Sequence, residues 1–306
     1  MGRKRSRRSG SGGQSSMVSE GEAFCPGHVT AFFEVVEDPD PRKKGSRGAG
    51  LCLGLGVHTV ARVREATRPS IDILVNGRRA TADVTRKVAE KISAGGSFEV
   101  KILSESPLPV SQGFGVSAAA ALSTALALDD ALGRGTPRAE LVAIAHETEV
   151  ECGTGLGDVV PASLGGMDLR WKPGAPGHAE VRTFRVEANL LLAVLGPEMP
   201  TRSVIRDPKK IEAINRVGGA CVDAFAAQPT LDRLFDLGVR FAEESGLASK
   251  TVLEVIHASR MFGRATMAML GNSVFATGNR EHLATLYLKF GTLQRCEVDN
   301  EGARVL

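Results

Sequence analysis

From residue 23 onward, apolar and polar positions recur in short, punctuated runs. Residues 23–36 carry the apolar pattern of a strand, interrupted at Pro26-Gly27-His28. Residues 51–64, 71–75 and 98–103 carry the same signal, and 81–93 predicts a short helix between the last two. Residues 116–132 predict a strong helix ended by Gly133 and Gly135. Thr136 then offers an N-cap, and Pro137 a first-turn proline, for a second helix running to about residue 152. Strands are expected at 164–171 and 181–186. Past residue 185 the pattern shifts: a strand at 189–195, helices at 209–227, 231–245, 251–259 and 281–290, and short strands at 273–276 and 294–298. Strands then helices, without strict βαβ alternation, argue for an α+β chain. The expected units are 21–187 and 188–306, and no internal repeat is present.

Residues 1–20 stand apart. Arg3, Lys4, Arg5, Arg7 and Arg8 precede a Gly/Ser-rich stretch with no apolar period, which reads as a disordered basic tail. An Arg/Ser-rich targeting peptide, or an alternative start at Met17, are the other readings of this stretch; the apolar segment of a secretory signal is missing. Removing the five charges from the chain's 38 basic side chains leaves 33 against 35 acidic ones, so the body of the protein offers no general nucleic-acid surface. The longest apolar run, 116–128, is shorter than the roughly 20 residues that cross a bilayer. The five cysteines are scattered without a C-x-x-C pair, which argues against a disulfide framework or zinc site and fits a reducing cytoplasm.

Candidate chemistry concentrates in two segments. The first, Pro109-Val-Ser-Gln-Gly-Phe-Gly-Val-Ser-Ala, sets Gly113 and Gly115 before the alanine-rich helix. Glycines let a backbone approach an anion, and the free amides and dipole of the following helix favour negative charge. Ser117 falls in that first turn, within reach of a phosphate-bound magnesium. A tight turn followed by a closely packed helix is the alternative. No Gly-Lys pair exists for a Walker loop. The loose match to G-x-G-x-x-A lacks the strand directly before it that a dinucleotide fold needs.

The second segment is His146-Glu-Thr-Glu-Val-Glu-Cys-Gly-Thr-Gly-Leu-Gly-Asp158. On a helix, Glu140, Glu147 and Glu151 share a solvated row, whereas Glu149 lies nearly opposite, beside Val142 and His146. A carboxylate turned away from water needs a cation or hydrogen bonds, so Glu149 is the candidate ligand, with a plain capped ion pair as the other reading. Asp158 follows a glycine-alternating loop and reads either as a helix N-cap or as a base that orients an attacking hydroxyl.

Together, Pro26-Gly27-His28, the 109–119 loop and the Glu149–Asp158 segment resemble the GHMP kinase superfamily. Ala23-Phe-Cys-Pro-Gly-His-Val-Thr-Ala-Phe-Phe-Glu, Gly45-Ser-Arg-Gly-Ala-Gly50 and Met269-Leu-Gly-Asn-Ser-Val-Phe-Ala276 narrow the resemblance to its archaeal pantoate kinase branch. The resemblance covers the chain from Ala23 on. It implies a two-domain fold, with an N-terminal mixed α+β nucleotide-binding domain and a ferredoxin-like C-terminal domain. It also implies transfer of the ATP γ-phosphoryl group to the 4-hydroxyl of pantoate for coenzyme A synthesis, with Mg2+, in a cytoplasmic homodimer. Gly113, Phe114, Gly115, Val116, Ser117 and Ala118 would then cradle ATP, Ser117 and Glu149 would hold the metal, and Asp158 would act on the hydroxyl. A pocket for pantoate needs a cation and polar donors. Arg170 fits the first, with Arg47 and Arg202 as rivals, and by resemblance Ser46, His146 and Thr201 supply the rest. His146 has a bland alternative as a satisfied histidine beside the core. The C-terminal glycine-rich motif of most members is reduced here to Ala268-Met-Leu-Gly-Asn-Ser-Val-Phe, so residues 274–276 are read as a core strand. A kinase for another small hydroxy acid, homoserine- or mevalonate-like, is the runner-up. A non-catalytic nucleotide sensor using the basic tail as a nucleic-acid arm is the reading from a different class.

Overall fold

The computed structural model describes residues 18–199, 204 and 207–306. Two long strands organise it. β1 (Ser19–Val36) and β2 (Gly45–Glu65) pair antiparallel along their whole length, with Ser19 opposite Val63 and Val36 opposite Gly45. The interruption at Pro26-Gly27-His28 is a register shift inside β1 rather than a break, and a second shift lies between Thr30 and Phe32. Proline has no N–H to give the ladder, and a bulge absorbs the misfit while re-aiming the next side chain, here His28. Ser19 and Glu20 belong to β1, so the expected tail is two residues too long; residues 1–17 lie outside the described part.

β2 carries two neighbours. Its second half pairs with β5 (Phe98–Glu105), and its first half pairs with β6 (Met167–Lys172). β3 (Ser70–Val75) runs parallel to β5 and turns into β4 (Arg78–Arg79), β7 (Glu180–Phe184) pairs with β6, and β12 (Arg304–Val305) pairs with β1. β2 starts six residues earlier than its apolar pattern indicates, because Gly45, Gly48 and Gly50 weaken the strand signal.

Three helices cover this sheet: α1 (Asp83–Ser93), α2 (Val116–Leu132) and α3 (Arg138–Cys152). α2 occupies the expected residues because Gly115 and Gly133, both left-handed (φ 64° and 60°), bound it. Its small side chains let it lie directly on β1, where a Cβ on Gly21 would come within 2.6 Å of the Ala131 amide nitrogen. α3 begins one residue later than its proline suggested: Pro137 takes the N-cap position, and the Thr136 N–H donates to Asp129 Oδ2 instead. The strand expected from residue 164 begins only at Met167. Residues 159–164 form α4 (Val159–Leu164), and Gly165 and Gly166, both at positive φ, make the turn between them.

The rest of the chain builds a second, antiparallel sheet in the order β11-β8-β10-β9: β8 (Asn189–Val194), β9 (Gly263–Met267), β10 (Ser273–Gly278) and β11 (Thr292–Glu297). Its helices are α5 (Pro208–Ala227), α6 (Leu231–Glu244), α7 (Lys250–Ser259) and α8 (Arg280–Tyr287). Asp207, Thr230, Ser249 and Asn279 cap their N-termini, each side-chain oxygen accepting a backbone N–H. Strand β9 has no counterpart in the apolar pattern. One continuous core joins this layer to the far half of β1. Phe32 meets Phe225 edge-on with centroids 5.7 Å apart, Phe33 meets Phe241, and Phe235 meets Phe275. The chain is thus α+β, with its two sheets joined through β1. No helix among the described residues is long and apolar enough to cross a membrane.

Candidate active site

A cavity of about 310 Å³ opens where the N-terminus of α2, the C-terminal end of α3, the 153–158 loop and residues Met269 and Leu270 of the second layer converge. Gly113, Phe114, Gly115, Val116, Ser117 and Ala118 all line it. The first intrahelical bond of α2 runs from the Ala119 N–H to the Gly115 carbonyl at 3.0 Å. The amides of Val116, Ser117 and Ala118 therefore have no acceptor within the helix, and its positive end faces the cavity. The two glycines also let the loop pack closely against its protein neighbours. A Cβ on Gly113 would meet the Ala268 carbonyl at 2.6 Å, and one on Gly115 the His28 backbone at 2.9 Å. Their missing side chains make room for protein, and the loop is pinned there by a bond from the His28 N–H to the Phe114 carbonyl. Gly271 packs in the same way on the Gln112 backbone, and Val274 to Ala276 are buried core.

Glu149 enters from the buried face of α3, 3% exposed. Glu140, Glu147 and Glu151 lie on the outer face, matched by Arg42 and Lys91. Ser117 Oγ donates to Glu149 Oε1 at 2.5 Å and Thr154 Oγ1 donates to the same oxygen at 2.7 Å. Gly155 keeps the space over the other oxygen, since a Cβ there would strike Oε2. Burial pushes the carboxyl up to about 7; the two hydroxyls oppose this and the nearby Asp158 charge adds to it. A buried carboxylate supplied with two hydroxyls and no cation is a group that a hard divalent ion would complete.

Asp158 occupies the N-cap position of α4, yet its side chain makes no capping bond. Oδ1 instead lies 3.0 Å from His28 Nδ1 and accepts the Thr30 hydroxyl at 3.2 Å. His28 Nε2 lies 2.6 Å from Asp168 Oδ1, and Asp168 Oδ2 accepts from Arg170 Nη1 at 3.2 Å. Arg170 Nη2 donates to Thr30 Oγ1 at 3.1 Å, which closes a ring of five side chains. Burial pushes Asp158 up, but the His28 hydrogen bond and charge, with Arg170 and Thr30, outweigh it and hold the carboxyl below the usual aspartate range. Burial likewise opposes the charge on His28, but Asp168 and Asp158 prevail and lift it above the ordinary histidine range.

The structure thus gathers Ser117, Glu149 and Asp158 in one cavity. Ser46 lines it too. Arg170 lies just behind the wall, 2% exposed, with its Nε unpartnered and close to Gly157, the glycine whose Cβ would strike Ser46 Oγ. Arg47 faces elsewhere, stacked on Trp171 and paired with Glu34 and Asp223. His146 is buried outside the cavity wall, its Nε2 3.0 Å from the Lys44 carbonyl, and burial lowers its pKa. It therefore ties the 37–44 loop to α3 and stands apart from the gathered residues. Thr201 and Arg202 lie outside the described residues.

Sequence reasoning assigned no role to His28, Thr30 or Asp168. The signal for Asp168 was an acid and a base two apart, Asp168 and Arg170, on one face of a strand whose other face is apolar. For His28 it was the glycine pair on the partner strand: Cβ atoms on Gly48 and Gly50 would come within 2.5 Å of Arg170 Nη2 and 2.6 Å of His28 Cε1.

Comparison with known proteins supplies the family. Residues 80–166 match the GHMP kinases N terminal domain. The pantoate kinase of Methanocaldococcus jannaschii is 31% identical over 85% of this chain and 93% of its own, and that of Thermococcus kodakarensis is 35% identical over 83% and 86%. A solved phosphotransferase related to the CoA biosynthesis pathway superposes with a TM-score of 0.85 at 30% identity, covering 94% of this chain and 98% of its own. Homoserine kinase from Cytophaga hutchinsonii, at 18% identity and a TM-score of 0.67, shares the fold. With that fold and these relatives, the chain belongs to the pantoate kinase family of the GHMP kinases.

Proposed function

We propose that this enzyme transfers the γ-phosphoryl group of ATP to the 4-hydroxyl of pantoate, forming 4-phosphopantoate for coenzyme A synthesis. The observation that carries the reading is the convergence of the α2 N-terminus, the Ser117–Glu149 pair and Asp158 on one cavity. The amides of residues 116–118 bind and orient the triphosphate. Ser117 and Glu149 would hold Mg2+, the buried carboxylate oxygen and the hydroxyl beside it being hard oxygen ligands. When bound, the ion offsets the charge on the phosphate oxygens.

Asp158 turns an ionised carboxylate toward the acceptor. It accepts the hydrogen bond of the attacking hydroxyl, sets that oxygen in line with the γ-phosphorus, and takes its proton as the new O–P bond forms and ADP departs. Its low pKa makes alignment the larger part of this role, since a weak base takes the proton late. Arg170 Nε, with Ser46 beside it, receives the pantoate carboxylate. His146 and Thr201 remain substrate contacts by resemblance alone. Homodimeric assembly and a cytoplasmic location belong to the same reading, and sedimentation checks the first.

The test is ADP release with ATP, Mg2+ and pantoate, with homoserine and mevalonate as controls. Pantoate-dependent turnover well above both controls supports the assignment, and its absence overturns it.

A further inference from the structure

Behind Asp158 lies a chain of buried charge that the transfer chemistry does not account for. The bulge in β1 aims the His28 ring between two carboxylates, Asp158 on Nδ1 at 3.0 Å and Asp168 on Nε2 at 2.6 Å. An ionised carboxylate only accepts, so a ring that serves both must donate from both nitrogens, which only the imidazolium does. Acid and cation then alternate from Asp158 through His28 and Asp168 to Arg170, and the four charges sum to zero. Neutral sums of this kind make deep burial tolerable. The side chains of His28, Asp168 and Arg170 are essentially buried, whereas that of Asp158 is 30% exposed, so the chain has one open end, at the cavity.

Among the described residues, no other group competes for His28. On β2, the Cys52 thiol opposite it is kept neutral by burial and the nearby Asp168 charge. From α3, Glu149 faces Asp158, whose charge helps to raise the glutamate's pKa. Gly50 clears the space the ring fills. A purely stabilising network would have no reason to end on an exposed carboxylate among the phosphate-binding amides.

We propose that His28 is a positioning residue for phosphoryl transfer: clamped by Asp168, it presents a charged N–H to Asp158 and so holds that carboxylate ionised and turned into the cavity. The inference rests on the reading of Asp158 given above. His28 takes no proton from Asp158 or the substrate, because both its nitrogens are already protonated, and Thr30 gives the same oxygen a second fixed donor.

The test compares His28→Asn with the wild type. Asparagine places an amide near Nδ1 but carries no charge and does not reach Asp168. With ATP, Mg2+ and pantoate, kcat should fall about a hundredfold, with KM for ATP little changed. The Asp158 carboxyl, followed by 13C NMR of labelled aspartates, should titrate at higher pH in the variant than in the wild type, because it loses its cation. Glu149, the other carboxyl at the cavity, is common to both enzymes. Asp168→Asn should shift the Asp158 titration in the same direction, since His28 then loses the group that holds its charge. Asp158 titrations that coincide for the wild type and both variants overturn the proposal, whatever the loss in kcat. Should a variant fail to fold, 15N NMR of the wild-type imidazoles decides. Two protonated ring nitrogens on His28 at about pH 7.5 support the inference, and a neutral ring there overturns it. That spectrum needs no turnover. A neutral His28 in a pantoate-active enzyme sinks this inference alone, whereas a wild type without pantoate-dependent turnover sinks the functional reading and the kinetic role with it.

Discussion

Replacing Glu149 with glutamine should make the metal-free protein more stable at alkaline pH while abolishing its turnover. The wild-type carboxyl is pushed up to about 7 from an ordinary 4.5, first by burial. Below about pH 4.5 the group is protonated in both folded and unfolded chains and contributes nothing to the difference. Between 4.5 and 7 the folded chain keeps a proton that the unfolded chain has released. Above 7 folding must bury a bare carboxylate. At about 1.4 kcal/mol per pH unit across that interval, the alkaline protein is less stable by roughly 3 kcal/mol. Glutamine fills the same volume, and its oxygen still accepts from Ser117 and Thr154. Thermal melts without Mg2+ or nucleotide should therefore show the Glu149→Gln protein melting several degrees above the wild type at about pH 8.5, with the two converging near pH 5. Adding Mg2+ and a non-hydrolysable ATP analogue should reverse the order, because only the carboxylate gains from the cation. A melting difference independent of pH, or a wild type more stable at pH 8.5 in the absence of metal, would refute the reasoning.

Asp158→Asn should leave binding of an ATP analogue intact by calorimetry and lower kcat by about a hundredfold or more, as expected on removing a positioned carboxylate; comparable turnover would mean that another group orients the hydroxyl. Arg170→Lys removes the unpartnered Nε and the planar fork. KM for pantoate should rise about tenfold to a hundredfold in steady-state assays while KM for ATP stays near its wild-type value. Phe225→Ala, in the aromatic contact that joins α5 to β1, should cost about 3–5 kcal/mol in denaturant unfolding. A loss below about 1 kcal/mol would mean that the two layers do not share one core.

Much of the local structure was legible from residue type. α2 ends where glycines permit left-handed turns, and its alanine content anticipates close packing on a strand. The burial of Glu149 followed from helical period alone, because a helix fixes which residues share a face before any partner is known. Where glycine and proline fell inside strands, the same logic misled. Gly45, Gly48 and Gly50 hid the start of β2, and Pro26 looked like a break where the sheet holds a bulge. Nothing in residue type showed that the glycines before α2 also make room for Ala268 and His28.

Residue type and spacing were enough for most of the elements and for the helix that would offer its amides, and they offered Ser117, Glu149 and Asp158 as candidates, because period and capping act over a few residues. What surrounds them depends on how distant segments of the chain meet. His28, 130 positions from Asp158 and 140 from Asp168, meets both because β1 and β6 flank the same stretch of β2 and the 153–158 loop folds over it. A charge chain of that kind exists only once the sheet has removed its members from water, and it is burial that turns an isolated histidine and two aspartates into partners.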